Sequence, residues 1–158
     1  MGVKYLLIGV VVAIPLVCNS VYNYVNANST VKVEEKKEIS DEFSEENMIL
    51  YMKEVGIKHI PVVLAQAKLE SGHYSSYIFI ENNNLFGMKA ARIRQTTNIG
   101  ENRGHALFKS WKDCILDYLY YQQTYLYHAD NQEEYLAYLA NNYAEDPNYI
   151  YKLKDLIE

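Results

Sequence analysis

The sequence predicts a mostly helical α+β domain, and three observations lead to this fold class. Apolar residues recur at helical spacing in segments that begin near residues 44, 61, 110, 131 and 146. The stretch between Ser71 and Phe108 instead mixes Asn, Gly and Thr without a helical period. The full length of 158 residues suits one domain. We therefore expect a helical core with a small β-lobe or irregular insertion after its central helix.

The first two predicted helices have clear start and stop signals. Ser44 is placed to cap the first helix, and Gly56 to end it. One face of this helix carries the apolar residues Met48, Ile49, Met52 and Val55. Pro61 suits the first turn of the second helix, which is strongly apolar and ends at Ser71-Gly72. This second helix is expected to lie at the centre of the core.

The insertion that follows is predicted to contain two short strands, at Arg92–Thr97 and His105–Phe108. Glu101 is the only acidic side chain between Lys89 and Lys109, against five basic ones. Such a positive patch fits an anionic polymer such as peptidoglycan, whose stem peptides carry carboxylates. A solvated hairpin with scattered arginines is the alternative interpretation.

Three further helices complete the predicted core. Ser110 and Asp113 form a capping-box-like start for the first of them. The next begins near Asn131, with two glutamates in its first turn. Asp146, followed by proline, is typical of a helix cap and begins the last helix. Trp111 is expected to pack in the core.

The N-terminal residues predict export. Lys4 precedes the uncharged apolar run Leu6–Val17, and Val25-Asn26-Ala27 has the small or branched residues of a cleavage site. Retention as a membrane anchor over residues 5–25 stays open, and lipidation at Cys18 is less favoured because Val17 is not small. The predicted organisation is a signal peptide or anchor over 1–27, a polar tether over 28–43 and a domain over 44–158, located in the periplasm, the cell envelope or outside the cell.

Composition limits the partners and the chemistry. The formal charge of −5 argues against nucleic acid. The four histidines lack the spacing of metal ligands, and no cofactor motif is present. Only Cys114 lies outside the N-terminal segment, so an intrachain disulfide is not expected there, and its spacing favours a buried position. Composition does not indicate an oligomeric state.

Glu70 is the strongest candidate for catalysis. It closes the apolar second helix beside a polar, glycine-containing turn. The negative end of a helix dipole and partial burial both disfavour an ionised carboxylate, so both raise its pKa. A protonated carboxyl group in a cleft is what glycosidic bond cleavage requires. Gln66 lies one turn earlier on the same helix face and is expected to point into the same cleft.

Three sequence blocks resemble the glucosaminidase domain of glycoside hydrolase family 73. They are Ala65–Gly72, Asn83–Lys89, and Tyr143–Tyr149 with Lys152-Leu153, in the order that the family has them. The resemblance covers about residues 45–158. It implies a lysozyme-like fold of two lobes and cleavage of peptidoglycan after N-acetylglucosamine, with Glu70 as the acid.

The resemblance also implies further site residues. Family members often place a second Glu in the β-lobe, for which Glu101 is the candidate here and Glu81 the reserve. Tyr143 is a candidate to stack on a sugar or to hydrogen-bond its N-acetyl group, with a core position as the alternative. Asn84, Phe86 and Tyr149 are further candidates for the glycan site.

Several alternatives stay open at this point. The mechanism is retaining, inverting or assisted by the substrate's N-acetyl group. If the N-acetyl group acts as the nucleophile, a second catalytic carboxylate is not needed. The same fold also suits a muramidase or a lytic transglycosylase. A non-catalytic module that binds the cell wall is the alternative from another functional class.

Overall fold

The computed structural model describes residues 38–157. Within this range it contains six helices and one two-stranded antiparallel sheet. The elements are α1 (Glu45–Val55), α2 (Ile60–Glu70), α3 (Tyr77–Asn82), β1 (Gly100–Asn102), β2 (His105–Leu107), α4 (Trp111–Tyr125), α5 (Gln132–Asn142) and α6 (Tyr149–Ile157). The predicted fold class is confirmed: the domain is mostly helical α+β, and its small sheet follows the central helix.

Local capping explains where most helices begin. The side chains of Ser44, Ser110 and Asn131 each accept a hydrogen bond from the backbone N–H three residues later, at the starts of α1, α4 and α5. Gly56 ends α1 with a φ of 84°, which glycine adopts without strain. These predicted boundaries are confirmed.

Helix α2 is the central helix of the fold. Its side chains Val62, Val63, Ala65, Gln66 and Ala67 are buried, and it packs against α1 and α6. The large side chains around it that are fully buried include Met48, Met52, Leu85, Ile115, Tyr118, Leu139 and Leu153. Burial of this apolar surface is the main favourable term for folding, and it fixes the position of the C-terminal end of α2, where Glu70 lies.

The segment after α2 differs from the prediction in two respects. The strand predicted at Arg92–Thr97 is wrong, because these residues are irregular and the partner of β2 is Gly100–Asn102 instead. Side chains of this segment bond to helix α4, so its polar groups find partners outside a sheet. Helix α3 was not predicted; Ser76 caps it by accepting a hydrogen bond from the N–H of Phe79.

The last helix begins two residues later than predicted, at Tyr149 instead of Pro147. Asp146 accepts a hydrogen bond from the N–H of Asn148 at 2.8 Å, and it bonds to Lys152. It therefore stabilises the turn that contains Pro147, and regular helix starts only at Tyr149. Asp146 therefore bonds within the turn before the helix and is not the residue directly preceding its first turn, as was predicted.

The final residues of the predicted tether pack on the domain. Phe43 makes edge-to-face contacts with Tyr74, Phe79 and Trp111, and the Trp111 indole donates a hydrogen bond to the carbonyl of Asp41. Trp111 is buried, as expected. The predicted signal peptide or anchor lies outside the described residues. No helix within residues 38–157 is long and apolar enough to cross a membrane.

Candidate active site

An open groove of about 760 Å³ runs beside the C-terminal end of α2. One side is formed by the chain from Phe86 to Arg94, and the other by the segment that leads from α5 into α6. Helix α4 contributes Tyr121 and Tyr125 to the lining. Four tyrosines line this groove in all, and its size is sufficient for more than one sugar ring.

Glu70 lies in this groove as the last residue of α2. Partial burial is the main cause that raises the pKa of its carboxyl group, and a hydrogen bond from Tyr149 partly opposes the rise. The Tyr149 hydroxyl donates this bond to Glu70 Oε1 at 2.8 Å. The structure therefore gives Glu70 the properties of a general acid: a raised pKa, an oriented carboxyl group and access to an open groove.

The other oxygen of Glu70 faces the turn at Gly87. A Cβ added to Gly87 would lie 3.6 Å from Glu70 Oε2, and the residue has a φ of 62°. Asn84 holds this turn: its side-chain amide donates to the carbonyl of Met88 at 2.9 Å and accepts from the N–H of Met88 at 3.1 Å. Asn84 is only 1% exposed, so it builds the groove wall and does not reach a glycan.

Tyr143 and Phe86, two of the aromatic candidates, contact each other beside the turn at Gly87. The Tyr143 hydroxyl donates a hydrogen bond to the carbonyl of Phe86 at 2.6 Å, and the Tyr143 ring stacks with that of Tyr149 at a centroid distance of 6.2 Å. Phe86 itself is 1% exposed and its ring packs on Tyr118. Tyr143 and Tyr149 therefore form a stacked pair beside Glu70, in which Tyr143 is half-buried and Tyr149 is only 5% exposed, whereas the Phe86 ring is buried against Tyr118.

Gln66 lies beneath the groove in a buried polar network. Its side-chain oxygen accepts a hydrogen bond from Tyr118, whose hydroxyl lies 2.8 Å from that of Tyr135. Gln122 in turn donates to Tyr135 at 2.7 Å. Gln66 is fully buried, so the structure does not place it where a substrate would touch it.

The Gln66 amide also affects the pKa of Tyr149. Burial is the main cause that raises the pKa of Tyr149, the negative charge of Glu70 adds to the rise, and the Gln66 amide opposes it. The Gln66 nitrogen completes no regular hydrogen bond within the described part of the chain.

A buried ion pair fixes the wall that contains Arg94. Arg94 and Asp117 on α4 pair at 2.6 Å, with side chains 6% and 1% exposed. The second oxygen of Asp117 accepts from the hydroxyl of Thr96 and from the N–H of Thr97. Both oxygens of this buried carboxylate are thus occupied, and the irregular segment is held against a helix.

Comparison with known families identifies the domain. The glucosaminidase family model, described as mannosyl-glycoprotein endo-beta-N-acetylglucosaminidase, matches residues 45–158. The chain belongs to the glucosaminidase family. No curated protein matches it. Among solved structures it is similar to the catalytic domain of the autolysin Auto from Listeria monocytogenes, at 21% identity and a TM-score of 0.48, over 91% of this chain and 93% of that one.

The two predicted partners of Glu70 do not line the groove of this glucosaminidase domain. Glu101 is exposed on β1, opposite Ala106 in the hairpin. Glu81 lies on α3, where its carboxylate is 3.7 Å from Arg103. Neither carboxylate is therefore placed to act with Glu70 in this groove.

The acidic residues that do line the groove, besides Glu70, are Glu145 and Asp146. Asp146 is paired with Lys152 at 2.6 Å, and this hydrogen bond lowers the pKa of Asp146. Glu145 is exposed on the same side of the groove. Sequence reasoning did not select Glu145, although it lies in the third of the blocks that resemble the family, two residues after Tyr143.

Neither Cys114 nor a metal-binding cluster forms a second candidate site within residues 38–157. Cys114 is fully buried, its sulfur accepts a hydrogen bond from the N–H of Leu85, and burial raises the pKa of its thiol. A thiol in this setting is not an activated nucleophile. Within residues 38–157, no three His, Cys, Asp or Glu side chains are grouped so as to hold a metal ion.

Proposed function

We propose that this protein is an exported endo-β-N-acetylglucosaminidase that hydrolyses the glycan strands of peptidoglycan. The observation that carries the proposal is Glu70, a carboxyl group with a raised pKa and direct access to an open groove. Membership in the glucosaminidase family supports the choice of the bond that is cleaved. Tyr143, which is half-buried in the groove lining, supports a sugar ligand, because a tyrosine ring offers an apolar face with a polar edge.

Glu70 acts first as a general acid in this proposal. Its carboxyl proton passes to the glycosidic oxygen as the bond between that oxygen and the anomeric carbon breaks. The leaving sugar departs with a free hydroxyl group, and Glu70 is left as a carboxylate. The Tyr149 hydroxyl stabilises the carboxylate through the hydrogen bond at Oε1. General acid catalysis of this kind contributes about 10²- to 10⁴-fold to the rate.

The substrate's own N-acetyl group is the proposed nucleophile. Its carbonyl oxygen attacks the anomeric carbon as the glycosidic bond breaks, which gives a cyclic oxazolinium ion. Water then opens this ion, and the Glu70 carboxylate takes the proton from that water. Glu101 lies outside the groove and Asp146 is bound to Lys152, so neither is placed to act as the nucleophile. Glu145, the remaining acid in the groove lining besides Glu70, is the alternative to the N-acetyl group.

Replacement of the proposed acid tests the assignment. Glu70→Gln keeps the size of the side chain and removes the transferable proton. We expect release of reducing ends from purified cell walls to fall at least about 10²-fold, with the circular dichroism spectrum unchanged. Glu101→Gln is the matched control and retains most of the activity. Equal activity of Glu70→Gln and the unsubstituted protein would exclude Glu70 as the acid.

Mass spectrometry of the digested wall identifies the cleaved bond. N-acetylglucosamine at the new reducing end supports the proposal. N-acetylmuramic acid there identifies a muramidase, and its anhydro form a lytic transglycosylase. Sedimentation with walls without release of any fragment identifies a non-catalytic binding module.

The configuration of the product tests the role of the N-acetyl group. Two successive displacements at the anomeric carbon give a product with the starting β-configuration, whereas direct attack by water gives the α-anomer. Proton NMR recorded in the first minutes of the reaction separates these outcomes. An initial α-anomer excludes the N-acetyl nucleophile and would make Glu145, the exposed groove acid, the residue to replace next.

Export is part of the proposal and rests on the N-terminal sequence. Lys4 and the apolar run Leu6–Val17 have the arrangement of a signal or an anchor. Fractionation of cells that express the full chain, compared with a chain lacking residues 1–27, tests it. We expect the full chain in the envelope or the medium and the shortened one in the cytoplasm. The same distribution for both chains would contradict export by this segment.

A further inference from the structure

One wall of the groove combines positive charge with an exposed apolar side chain. Lys89, Arg92 and Ile93 all line the groove, and Ile93 is 90% exposed. Lys89 and Arg92 are also exposed. Ile93 directly follows Arg92 in the chain, so this wall presents an exposed apolar side chain together with exposed cations to the groove.

These two cations differ from the other two that line the groove, Arg94 and Lys152. The groove is also lined by Arg94 and Lys152, but these pair with Asp117 and Asp146. Within residues 38–157, neither Lys89 nor Arg92 takes part in an ion pair. The available positive charge of the groove is therefore concentrated on one wall.

This wall is also held in place before any ligand arrives. Arg94, directly after Ile93, is fixed by its buried ion pair with Asp117, and Thr96 and Thr97 bond to the same carboxylate. A segment without regular secondary structure would otherwise lose conformational entropy on binding. Because the segment is already ordered, contacts made by Arg92 and Ile93 contribute more fully to affinity.

We infer that this wall, formed by Lys89, Arg92 and Ile93, binds the stem peptides that branch from the glycan strand. The inference rests on the proposed function, since it names the part of the peptidoglycan substrate that meets this wall. Stem peptides carry free carboxylates and small aliphatic side chains close together. The two cations match the carboxylates and Ile93 matches the aliphatic groups. A polymer of phosphates would match the cations but leave Ile93 without a partner.

The test compares two forms of one glycan. Purified peptidoglycan strands are used with their stem peptides and after removal of these peptides by an amidase. For the double variant Lys89→Ala/Arg92→Ala, we expect the ratio of kcat/KM on peptide-bearing strands to kcat/KM on stripped strands to fall about tenfold, mainly through KM. Lys109→Ala, which removes an exposed cation outside the groove, is the matched control. An unchanged ratio in the double variant overturns the inference.

Substitution of the apolar residue provides a second test. Ile93→Asn should lower the same ratio about threefold, whereas Ile93→Leu should preserve it. The wild-type preference for peptide-bearing strands should also decrease as salt rises, because exposed charges are screened. A ratio that is insensitive to both Ile93→Asn and salt contradicts the inference.

Binding measurements separate this inference from the proposed activity. Soluble strands with and without peptides are titrated into Glu70→Gln, with and without the two alanine substitutions, by calorimetry. Tighter binding of peptide-bearing strands that depends on Lys89 and Arg92 supports the inference even if no hydrolysis is found. If poly(glycerol phosphate) binds in a manner dependent on Lys89 and Arg92, and peptides give no preference, the wall binds a phosphate polymer and the inference is wrong.

Discussion

The Tyr149 hydroxyl lies 2.8 Å from Oε1 of Glu70 and donates a hydrogen bond to it. This bond joins α6 to the end of α2, two helices that pack directly on each other. Burial is the main cause that raises the pKa of the Glu70 carboxyl group, and the hydrogen bond from Tyr149 lowers that pKa. The balance between these two effects sets the pH range in which the proposed acid holds its proton.

Removal of the Tyr149 hydroxyl should therefore shift the pH profile. In Tyr149→Phe the carboxylate loses a donor, so the pKa of Glu70 rises further. A general acid works in its protonated form, and the high-pH limb of kcat/KM should move to higher pH. The maximum of kcat/KM should fall about tenfold, since the Glu70 carboxylate formed by proton transfer is less stabilised. Initial rates on cell-wall glycan between pH 4 and 9 measure both effects.

Tyr151→Phe is the control for this prediction. Tyr151 lies on the same helix, is 72% exposed and is not part of the groove lining. Its substitution should leave both limbs of the profile in place. A high-pH limb that moves to lower pH in Tyr149→Phe would contradict the hydrogen-bond argument.

Glu70 should also make stability depend on pH. Its folded pKa is raised above the ordinary value of 4.5. The protonated carboxyl group thus contributes stability that is fully present below about pH 4.5 and is lost as pH rises through the folded pKa. Glu70→Gln lacks this loss, so its free energy of unfolding should exceed that of the wild type increasingly above pH 4.5. Urea denaturation at pH 4 and pH 8 measures the difference.

A difference in unfolding free energy that stays constant between these pH values would contradict the raised pKa. Glu101→Gln is included because it removes an exposed carboxylate and so corrects for the change in net charge. Greater stability of Glu70→Gln at pH 8 would also indicate that the native residue is retained for function at a cost in stability.

Much of the helical framework follows from local sequence. Ser44 and Ser110 cap the helices that they were predicted to cap, because capping depends on residues within one turn. The helix predicted to start near Asn131 also starts there, with Asn131 as its cap. The apolar character of α2 likewise predicted its central position, and the site of Glu70 at its end follows from that. These features depend on short-range patterns that a single sequence displays.

The groove wall could not be predicted in the same way. The path of Arg92–Thr97 depends on Asp117, which is about 20 residues away in the sequence. The residues next to a buried Asp in the middle of a helix do not predict which distant groups will bond to it. The same applies to Gln66 and Asn84, which were expected to meet the glycan and are instead buried in hydrogen-bond networks. Long-range polar contacts decide these positions.

Asp117 should be important for stability because its carboxylate is buried and fully bonded. Asp117→Ala leaves Arg94 as a buried, unpaired charge and also removes acceptors from Thr96 and Thr97. We expect a loss of about 3–5 kcal/mol in the free energy of unfolding. Urea denaturation measures this loss.

The exposed ion pair between Lys152 and Asp146, on the other side of the groove, is the control for the stability loss expected in Asp117→Ala. Lys152 is 54% exposed and pairs with Asp146, so Lys152→Ala should cost less than about 1 kcal/mol. Equal losses in Asp117→Ala and Lys152→Ala would show that the Arg94 pair does not hold the wall.

The turn at Gly87 permits a test in which backbone strain and active-site effects are separated. Gly87 and Gly56 both have positive φ, at 62° and 84°. Alanine at either position is strained and should cost about 1 kcal/mol. A methyl group at residue 87, however, would lie 3.6 Å from Glu70 Oε2, whereas one at residue 56 would meet nothing within 4 Å.

The two variants should therefore lose similar stability but differ in activity. In Gly87→Ala the added methyl group occupies space beside the proposed acid, where the glycosidic oxygen must approach, and kcat/KM should fall about tenfold or more. Gly56→Ala should keep the wild-type value at a temperature where both variants are folded. Thermal unfolding and initial rates on cell-wall glycan measure the two effects. Equal activities at equal folded fractions would mean that substrate does not approach Glu70 from the side of Gly87.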